Sequence, residues 1–564
     1  MSDLMYPVNF KQMIIHVLEE YENYQTIYNV KNIFKKSNEN VLSIFGEKLE
    51  NPLGIAAGPH TQLAHNILAN YAGGARYMEL KTVQALYGEE LGIPRPCIRA
   101  EDEAYNTEWS SEFKATDARD EYVKAWFGCK VLAKEFEFGD PDGFIFNMSC
   151  GYNLEGIKQP LVDEFIDTLM DASDTKVFEQ CKQDLYELLP RFKNIDRDYI
   201  DSISPNVCRS ITLSTMHGCP PKEIEAIGKY LLEEKSINTY IKCNPTLLGY
   251  DYVRETFDKM GYDYLTFGHE QFEHDLQMED AVPMLTRLQE LAKELDLEFG
   301  VKLTNTFQCK IKNNELPGED MYMSGKALYP LATAVAYKLS AAFDGKLPIS
   351  YCGGADRNNI KALYESGMWP ITICTILLQP TGLDNIKKLA EILEDCEFSN
   401  NKTTDTEKLK AIATGATEDK HYVKSSAKRK KYDLHKSYEN WERDDDYYCR
   451  VLCKSCVRVC PNRTNDVIKL SEDSIILHID DICNECGNCQ FYCVEPCLPY
   501  RDRITLFSSK EDLDNSTNNG FFKKEDQSFY YRYQGKVGEG ELPEPLQEVY
   551  QAIKEQKPYY FMTK

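Results

Sequence analysis

Short apolar or β-branched runs alternate with longer segments of helical periodicity between residues 45 and 396. The runs read NPLGIAAG, RYMELKTV, GFIFNMS, SITLSTM, TYIKCNP, YDYLTFG, EFGVKLTNTF, PISYCGG and PITICTIL. The segments between them, such as PKEIEAIGKYLLEEK, carry apolar residues at the spacing of one helix face. This alternation predicts an α/β fold of parallel βαβ units that close into a (β/α)8 TIM-like barrel. There are nine runs for eight strand positions, so one run is predicted to be an edge or insertion strand. The segments 95–140 and 155–207 are longer than ordinary connections and are predicted to be insertions.

The pattern of polar residues predicts four further parts of the chain. Residues 1–44 are predicted to form an N-terminal helical extension before the barrel at 45–396. Residues 397–446 hold few apolar positions and several blocks of charge, which is typical of a polar linker. A cysteine-rich domain is predicted at 447–504, and 505–564 form a C-terminal tail without a clear structural signal.

The composition narrows the class of protein. There are 65 basic and 90 acidic residues, a formal net charge of −25, so nucleic acid and anionic membranes are not expected partners. The N-terminal residues lack the features of a signal peptide, and no apolar run reaches the eighteen residues of a membrane span. We therefore expect a soluble cytoplasmic protein.

Cysteine spacing carries the first chemical signal, since nine of the twenty cysteines lie within 449–497. The spacing is Cys449-x3-Cys453-x2-Cys456-x3-Cys460-Pro461 and then Cys483-x2-Cys486-x2-Cys489-x3-Cys493. In such runs three thiolates bind one cubane, and the cysteine three residues later binds the other. This predicts a small α+β ferredoxin-like domain with two 4Fe–4S clusters. One is held by Cys483, Cys486, Cys489 and Cys460, and the other by Cys449, Cys453, Cys456 and Cys493.

Two alternatives remain open for these cysteines. The first run has one extra residue between Cys449 and Cys453, and Val494 stands where the ferredoxin pattern has proline, so Cys497 could replace Cys493 as the eighth ligand. Paired CxxC units also bind structural zinc. Two tandem runs and a Cys-Pro pair favour iron–sulfur clusters, which move single electrons and require a redox partner upstream.

The barrel region resembles a known family. NPLGIAAGP followed by MELKTV is similar to the first two strands of the dihydroorotate dehydrogenase-like FMN barrels, especially in dihydropyrimidine dehydrogenase, where a two-cluster ferredoxin domain follows the barrel. FNMSCGYN, TNT, MSGKALYP, YCGGAD and ICTILL come in the same order. The chain also resembles the selenate reductase family, which adds a module for FAD and NAD(P)H. That module needs GxGxxG runs, and none occurs here, so the resemblance implies a separate electron-donor subunit and a hetero-oligomer.

Small residues in the expected loops favour a flavin. A phosphate needs close backbone N–H groups, and barrels bind it after strands seven and eight, where Gly353-Gly354 and Cys374-Thr375 are predicted to lie. The resemblance implies a third contact at Ser324 and Gly325. It further implies flavin contacts from Ala57, Gly58, Lys81, Asn147 and Asn305. For the family's strand-five lysine both Lys242 and Lys302 are candidates, and Lys302 is preferred.

A reductase that passes hydride to a heterocycle also needs a proton donor. The pyrimidine-reducing relatives use a cysteine on the loop after strand four, which points to Cys219 in STMHGCPP, with His217 as the second candidate. A buried structural thiol is an equally good interpretation of Cys219. His269, Glu270 and His274 in FGHEQFEH are predicted either to bind a ligand or to form a polar rim.

These signals combine into one preferred function. The chain is predicted to be an FMN- and 4Fe–4S-dependent reductase of an oxo-heterocycle, a purine such as urate or xanthine or a pyrimidine, fed with electrons by the partner subunit. The alternative is an electron-transfer subunit without substrate chemistry, and a third possibility is a purely structural subunit. A reductase needs a pocket lined by Asn147, Asn305 and Cys219, whereas a relay does not.

Overall fold

The computed structural model describes residues 5–86, 88–100, 103–107, 110–215, 217–424, 449, 451–495 and 497–561. Its centre is a closed barrel of eight parallel strands that are adjacent in chain order, which confirms the predicted (β/α)8 architecture. The strands are β1 Leu53–Ile55, β2 Tyr77–Glu79, β3 Ile145–Cys150, β4 Cys208–Ser214, β5 Asn238–Cys243, β6 Phe299–Leu303, β7 Ile349–Tyr351 and β8 Ile371–Ile373.

The ninth predicted run is not a barrel strand. YDYLTFG lies between β5 and β6 and forms only an isolated bridge from Thr266 to Lys310. Its apolar residues Leu265 and Phe267 are buried by packing among neighbouring rings and not in the barrel sheet. The run is thus part of an insertion, one of the two outcomes that the sequence allowed.

Helices surround the barrel, and their apolar faces are buried against its strands. Those that connect consecutive strands or follow the last one are Ala64–Gly73, Ala115–Phe136, Leu154–Ile157, Pro160–Met170, Lys176–Leu188, Arg197–Ser202, Pro221–Lys229 with its π-helical end Tyr230–Glu234, Tyr250–Lys259, Glu270–His274, Met278–Glu294, Tyr329–Ala342, Ile360–Glu365 and Gly382–Glu394. The four helices between β3 and β4 occupy the second predicted insertion.

A small sheet is inserted at the carboxyl ends of the barrel strands. The connection after β2 contributes the hairpin Ile98–Ala100 and Ala104–Asn106, and the connection after β6 contributes Phe307–Lys310 and Asp320–Met323. Tyr322 pairs with Ile98 in parallel, which joins the two insertions. This sheet forms one wall of the region where β/α barrels place their active sites.

The N-terminal region contains the predicted helix, Phe10–Tyr24, followed by the hairpin Leu42–Ile44 and Glu47–Leu49. Its apolar face packs on the insertion helices, where the Phe10 and Phe127 rings lie 6.1 Å apart.

The predicted polar linker is only partly a linker. Within it, the helix Thr406–Ala416 buries Leu409, Ala413 and Ala416, and Tyr422 stacks on Tyr329 of the barrel with ring centroids 4.2 Å apart. The sequence did not predict this helix, because only three buried apolar positions mark its inner face in a segment dominated by charged residues. Residues 397–424 therefore belong to the barrel domain, and 425–448 lie outside the described residues.

The cysteine domain, described here from 451 to 561 together with Cys449, is built on a six-stranded mixed sheet. Its strands, in spatial order, are Asn465–Lys469, Ser474–Ile479, Ile504–Leu506, Gly520–Lys523, Phe529–Tyr533 and Lys536–Gly540. Its helices are Ser455–Val459, Asn488–Phe491, Pro499–Asp502, Lys510–Asn515 and Glu544–Gln556. Most of the predicted tail is thus integral to this domain.

The cysteine domain packs on the carboxyl-end face of the barrel. Asn488 Nδ2 donates to the Leu378 carbonyl after β8 (2.7 Å), and its Oδ1 accepts from the Tyr105 N–H in the inserted sheet (3.3 Å). His65 Nε2 lies 3.1 Å from the Asn462 carbonyl oxygen. The cysteine runs are therefore held directly against the loops that follow the barrel strands. No helix in the described part of the chain is long and apolar enough to span a membrane.

Candidate functional site

A cavity of about 450 Å³ opens at the carboxyl ends of the barrel strands. Its volume is typical of a small-molecule or cofactor site. Nine of the predicted flavin contacts line it: Ala57, Gly58, Asn305, Ser324, Gly325, Gly353, Gly354, Cys374 and Thr375.

Two glycines of this wall lie close together and have a left-handed backbone conformation. Gly325 and Gly354 have φ values of +72° and +71°, and a Cβ on Gly354 would lie 2.8 Å from the Gly325 carbonyl oxygen. A side chain at either position would be strained and would fill the space between the loops. The sequence therefore keeps backbone exposed to the cavity here.

The same wall already accepts an anionic group. The Glu103 carboxylate, from the inserted hairpin, accepts a hydrogen bond from the Lys326 N–H (2.7 Å) and another from Gln379 Nε2 (3.1 Å). Lys326 directly follows Gly325. Because glycine has no side chain, the Lys326 N–H remains accessible to an anionic group.

The two candidate lysines occupy neighbouring strands, with Lys242 on β5 paired in register with Lys302 on β6. The lysine on the fifth barrel strand is therefore Lys242, whereas Lys302, the preferred candidate, lies on the sixth. Lys242 lines the cavity. Lys302 is buried and donates to Ser350 Oγ (3.1 Å) and Thr372 Oγ1 (2.7 Å).

Glu79, at the end of β2, is a buried partner that the sequence interpretation missed. Its Oε2 lies 3.6 Å from Lys302 Nζ and accepts from the Ala57 N–H (3.2 Å). Burial opposes the charged form, but Lys302 and Lys242 together hold the pKa of Glu79 below its usual value. Its Oε1 is buried without a hydrogen-bond partner among the described residues. The position of this acid inside the apolar run YMELKTV was the signal that could have identified it, because a charge buried in such a run needs a partner.

Lys81 and Asn147 lie behind the cavity wall and are not among its lining residues. Asn147, within β3, donates to the Met148 carbonyl and to Thr212 Oγ1, both at 2.9 Å, and its Oδ1 is buried without a partner in the described structure. Lys81 is completely buried in an ion pair with Glu112.

His217, on the loop after β4, is held by Asp275. Its Nδ1 lies 2.9 Å from Asp275 Oδ2, and its Nε2 lies 3.3 Å from the Thr306 carbonyl oxygen, which belongs to a cavity-lining residue. Because both ring nitrogens face acceptors, a protonated imidazole can donate to both.

Asp275 is the second buried acid that the sequence interpretation missed. Burial alone would raise its pKa, but hydrogen bonds from His217, the Gly218 N–H and Thr246 Oγ1 hold it below the usual range. Asn244 also donates to Asp275 (3.2 Å) and accepts from Asn305 Nδ2 (2.7 Å), which connects the His217–Asp275 pair to the cavity.

Neither His217 nor Cys219 is among the residues that line the cavity. Cys219 is half-buried, and burial, reinforced by Glu223 and Asp275, raises the pKa of its thiol to about 11. Of the three residues predicted to line a reductase pocket, Asn147, Asn305 and Cys219, only Asn305 does so.

His269, Glu270 and His274 are exposed and do not line the cavity. His269 stacks on Tyr250 with ring centroids 3.7 Å apart.

The cysteine domain contains a much smaller cavity. Its lining includes all four thiols predicted to share one cluster: Cys460, Cys483, Cys486 and Cys489. Burial raises the pKa of Cys489, and the nearby Cys486, Cys460 and Cys483 raise it further. The structure thus brings Cys460 from the first run together with three thiols of the second.

The other predicted set is also grouped. Burial raises the pKa of Cys456, and the neighbouring thiols of Cys493, Cys449 and Cys453 raise it further. Cys497 Sγ lies 3.2 Å from Cys493 Sγ and accepts from Arg503 Nη2 (3.2 Å). Cys493 is therefore the thiol grouped with the first run, and Cys497 lies directly behind it.

Neither group is arranged around a single ion. Within the described ranges, no set of three His, Cys, Asp or Glu side chains converges where one metal ion could be held. A cubane binds each thiolate to a different iron atom, so its ligands surround a cavity and do not meet at a point.

A closed eight-stranded parallel β/α barrel with a polar cavity at its strand ends is the architecture of a barrel enzyme. A sequence profile described as "Oxidoreductase YgfK, N-terminal TIM-barrel domain" matches residues 28–424. The chain belongs to this oxidoreductase family. The profile extends beyond the last barrel strand and includes the helix Thr406–Ala416.

Two relatives carry the same provisional name, oxidoreductase YgfK, and come from Escherichia coli K12 and Escherichia coli O157:H7. Each is 46% identical over 430 residues, which is 74% of this chain and 42% of the relative. The chain thus spans about two fifths of the length of these curated relatives. Among solved structures, DHODH from Eimeria tenella in complex with ferulenol matches 69% of this chain and 92% of its own, with 14% identity and a TM-score of 0.41. That score is too low to define a shared fold.

Proposed function

We propose that the barrel cavity binds FMN. The exposed backbone at Gly325 and Gly354 and the anion-accepting Lys326 N–H suit a phosphate, for which the Glu103 carboxylate would yield its place. The buried Thr304 Oγ1 lines the cavity without a hydrogen-bond partner in the described part of the chain. These are the features expected of a cradle for a polar, phosphorylated ligand.

A bound flavin supplies hydride and single-electron chemistry. The contribution of this chain is binding and charge. Lys242 places a cation in the cavity, where it favours electron-rich states of a ligand. The buried Lys302–Glu79 pair fixes the Ala57 backbone against the cavity floor.

The cysteine domain, in this proposal, binds two 4Fe–4S clusters. One set of ligands is Cys460, Cys483, Cys486 and Cys489, and the other is Cys449, Cys453, Cys456 and Cys493. Cys497 and Arg503 then lie behind Cys493 as hydrogen-bonding neighbours and not as ligands.

The observation that carries the redox function is the direct contact between the two sites. The cysteine turn 483–491 packs on loops that line the barrel cavity, through Asn484 to Thr107 (3.3 Å) and Asn488 to Leu378 (2.7 Å). We infer a cytoplasmic reductase subunit that receives electrons from a separate NAD(P)H-oxidising flavoprotein and reduces an oxo-heterocycle of the purine or pyrimidine type.

Reduction of such a ring consumes a proton, and His217 is the residue best placed to deliver it. Its Nε2 points to the Thr306 carbonyl at the cavity margin, and Asp275 holds the ring from behind. Positioned general acids of this kind contribute roughly 10²–10⁴-fold. Cys219 is the second donor, since its high pKa keeps the thiol protonated at neutral pH.

The test begins with anaerobic purification and measurement of flavin, iron and acid-labile sulfide. Dithionite-reduced protein is then mixed separately with uracil, xanthine, urate and selenate while flavin absorbance is followed. Rapid reoxidation by one heterocycle is expected. If flavin and iron are present and none of these compounds reoxidises the protein, the chain is a relay without substrate chemistry.

The variant D275N sharpens this test. Loss of the carboxylate should slow reoxidation by about 10²-fold without loss of flavin. The matched control is E20Q, because Glu20 pairs with His16 at 3.1 Å and neither residue lines the cavity. An equal loss in both variants would contradict the role of His217 and Asp275.

A further inference from the structure

A completely buried ion pair lies between the barrel cavity and the cysteine cavity. Lys81, just after β2, pairs with Glu112, and their side chains are 0% and 1% exposed. The Tyr122 hydroxyl donates to the Lys81 carbonyl (2.7 Å), and the Glu112 N–H donates to Gln62 Oε1 (3.2 Å). Buried charges in such surroundings are retained only when they are well paired.

Glu112 contacts the cysteine turn directly. Its Oε1 accepts from Asn484 Nδ2 (3.1 Å), and Asn484 lies between Cys483 and Cys486. The same amide donates to Thr107 Oγ1 (3.3 Å), and Thr107 lines the barrel cavity. Glu112 is therefore paired with Lys81 of the barrel and hydrogen-bonded to Asn484 in the turn that carries the Cys483 and Cys486 thiols.

The ion pair lies close to both cavities. Burial raises the pKa of Cys374, in the barrel cavity, to about 12, and Lys81 is near enough to act on it in the opposite direction. Glu112 contacts Asn484, which in turn contacts Thr107 of the barrel cavity and lies within the cysteine turn. The two charges are thus placed between the cavities, and together they are neutral.

We propose that Glu112 is a positioning residue that sets the relative reduction potentials of the two sites. It offsets the Lys81 charge between them and, through Asn484, fixes the Cys483–Cys486 turn on the barrel. This proposal rests on the proposed function, in which both sites hold redox groups. Reduction adds negative charge, so an unbalanced buried cation favours the reduced state of any group nearby, and an unbalanced anion disfavours it.

The experiment is an anaerobic spectroelectrochemical titration of the full-length protein, following flavin and iron–sulfur absorbance separately. E112Q should shift both midpoint potentials in the positive direction. K81M should shift them in the negative direction, and the double variant K81M/E112Q should return close to the wild type. E112D, which keeps the charge, should remain near the wild type.

The matched control is E50Q. Glu50 also forms a buried pair, with Arg76 (3.0 Å) at the opposite end of β2, so E50Q should lower thermal stability without moving either potential. If E112Q does not fold, the negative shift expected in K81M tests the proposal instead. If a variant loses its flavin, the iron–sulfur potential can still be measured.

Two results would overturn the proposal: unchanged potentials in E112Q and K81M, or shifts in E50Q as large as those in E112Q. A wild-type protein without flavin and iron would instead overturn the proposed function on which the proposal rests. Cofactor content therefore distinguishes the two failures.

Discussion

The barrel cavity takes its walls from Lys242 on β5 and from the loops that follow β1, β2, β6, β7 and β8, whereas the cysteine cavity takes its four thiols from the interval between residues 460 and 489. In the barrel, backbone groups and small polar side chains would together bind the proposed flavin. In the cysteine domain, each thiol would form a covalent bond to iron that no neighbour can replace. The same kind of substitution should therefore have very different consequences in the two places.

The largest effect is expected at the cysteine cavity. C486S should remove about half of the iron and acid-labile sulfide, because one of two clusters loses a thiolate ligand. Flavin content should remain within error of the wild type. The measurement is chemical analysis of anaerobically purified protein, with C396S as control, since Cys396 is buried just after the helix Gly382–Glu394 and lines neither cavity. Full iron content in C486S would refute the ligand assignment.

The next effect separates the two lysines inside the barrel. K302M leaves Glu79 as a buried unpaired charge, which should lower the free energy of unfolding by about 3–5 kcal/mol. K242M removes a cavity cation without a described ion-pair partner and should cost less than about 1 kcal/mol, while flavin binding weakens. Denaturant unfolding and flavin titration of the apoprotein measure the two quantities. Equal losses of stability would contradict the distinction.

A smaller effect is expected at the glycine wall. G354A introduces a left-handed alanine, strained by about 1–2 kcal/mol, and places its Cβ near the Gly325 carbonyl. Flavin affinity should fall about tenfold or more, corresponding to about 1.4 kcal/mol. G46A provides the control, because Gly46 has a φ of +72° and no atom within 4 Å of the added Cβ. It should show the strain without the loss of affinity.

The smallest effect concerns pH. The Cys219 pKa is raised to about 11, so its thiol favours the folded state below the ordinary pKa, and this contribution is lost as the pH rises through 11. At pH 7.5 alkylation by iodoacetamide should be roughly a hundredfold slower than for an unperturbed thiol and should accelerate toward pH 11. Mass spectrometry of the Cys219 peptide measures the rate, and fast labelling at neutral pH would exclude a protonated donor.

The features predicted correctly from the sequence are those encoded by residues that are close together in the chain. The eight barrel strands are short runs in which most side chains are buried, and the cysteine spacing reflects a tight turn around one site. YDYLTFG is also a short run with buried apolar residues, but it packs among aromatic rings outside the barrel sheet.

The residues that were missed are those whose partners are distant in sequence. Asp275 lies 58 residues from His217, and Glu112 lies 372 residues from Asn484. Each reads as an ordinary acid in a polar stretch until the barrel closes and buries it. The C-terminal strands were missed because they are short, with residues of intermediate exposure, and their periodicity is correspondingly weak.

The exchange of Cys460 and Cys493 between the two cysteine runs has a consequence for maturation. Each run supplies three thiols to its own site and one to the other, and the hairpin Asn465–Lys469 and Ser474–Ile479 lies between the runs. If both sites hold the proposed clusters, neither run can complete its own site alone, and a nascent chain released just before residue 493 would hold one complete set of four thiols and one set of three. Iron delivery to the second site should therefore follow synthesis of the whole domain.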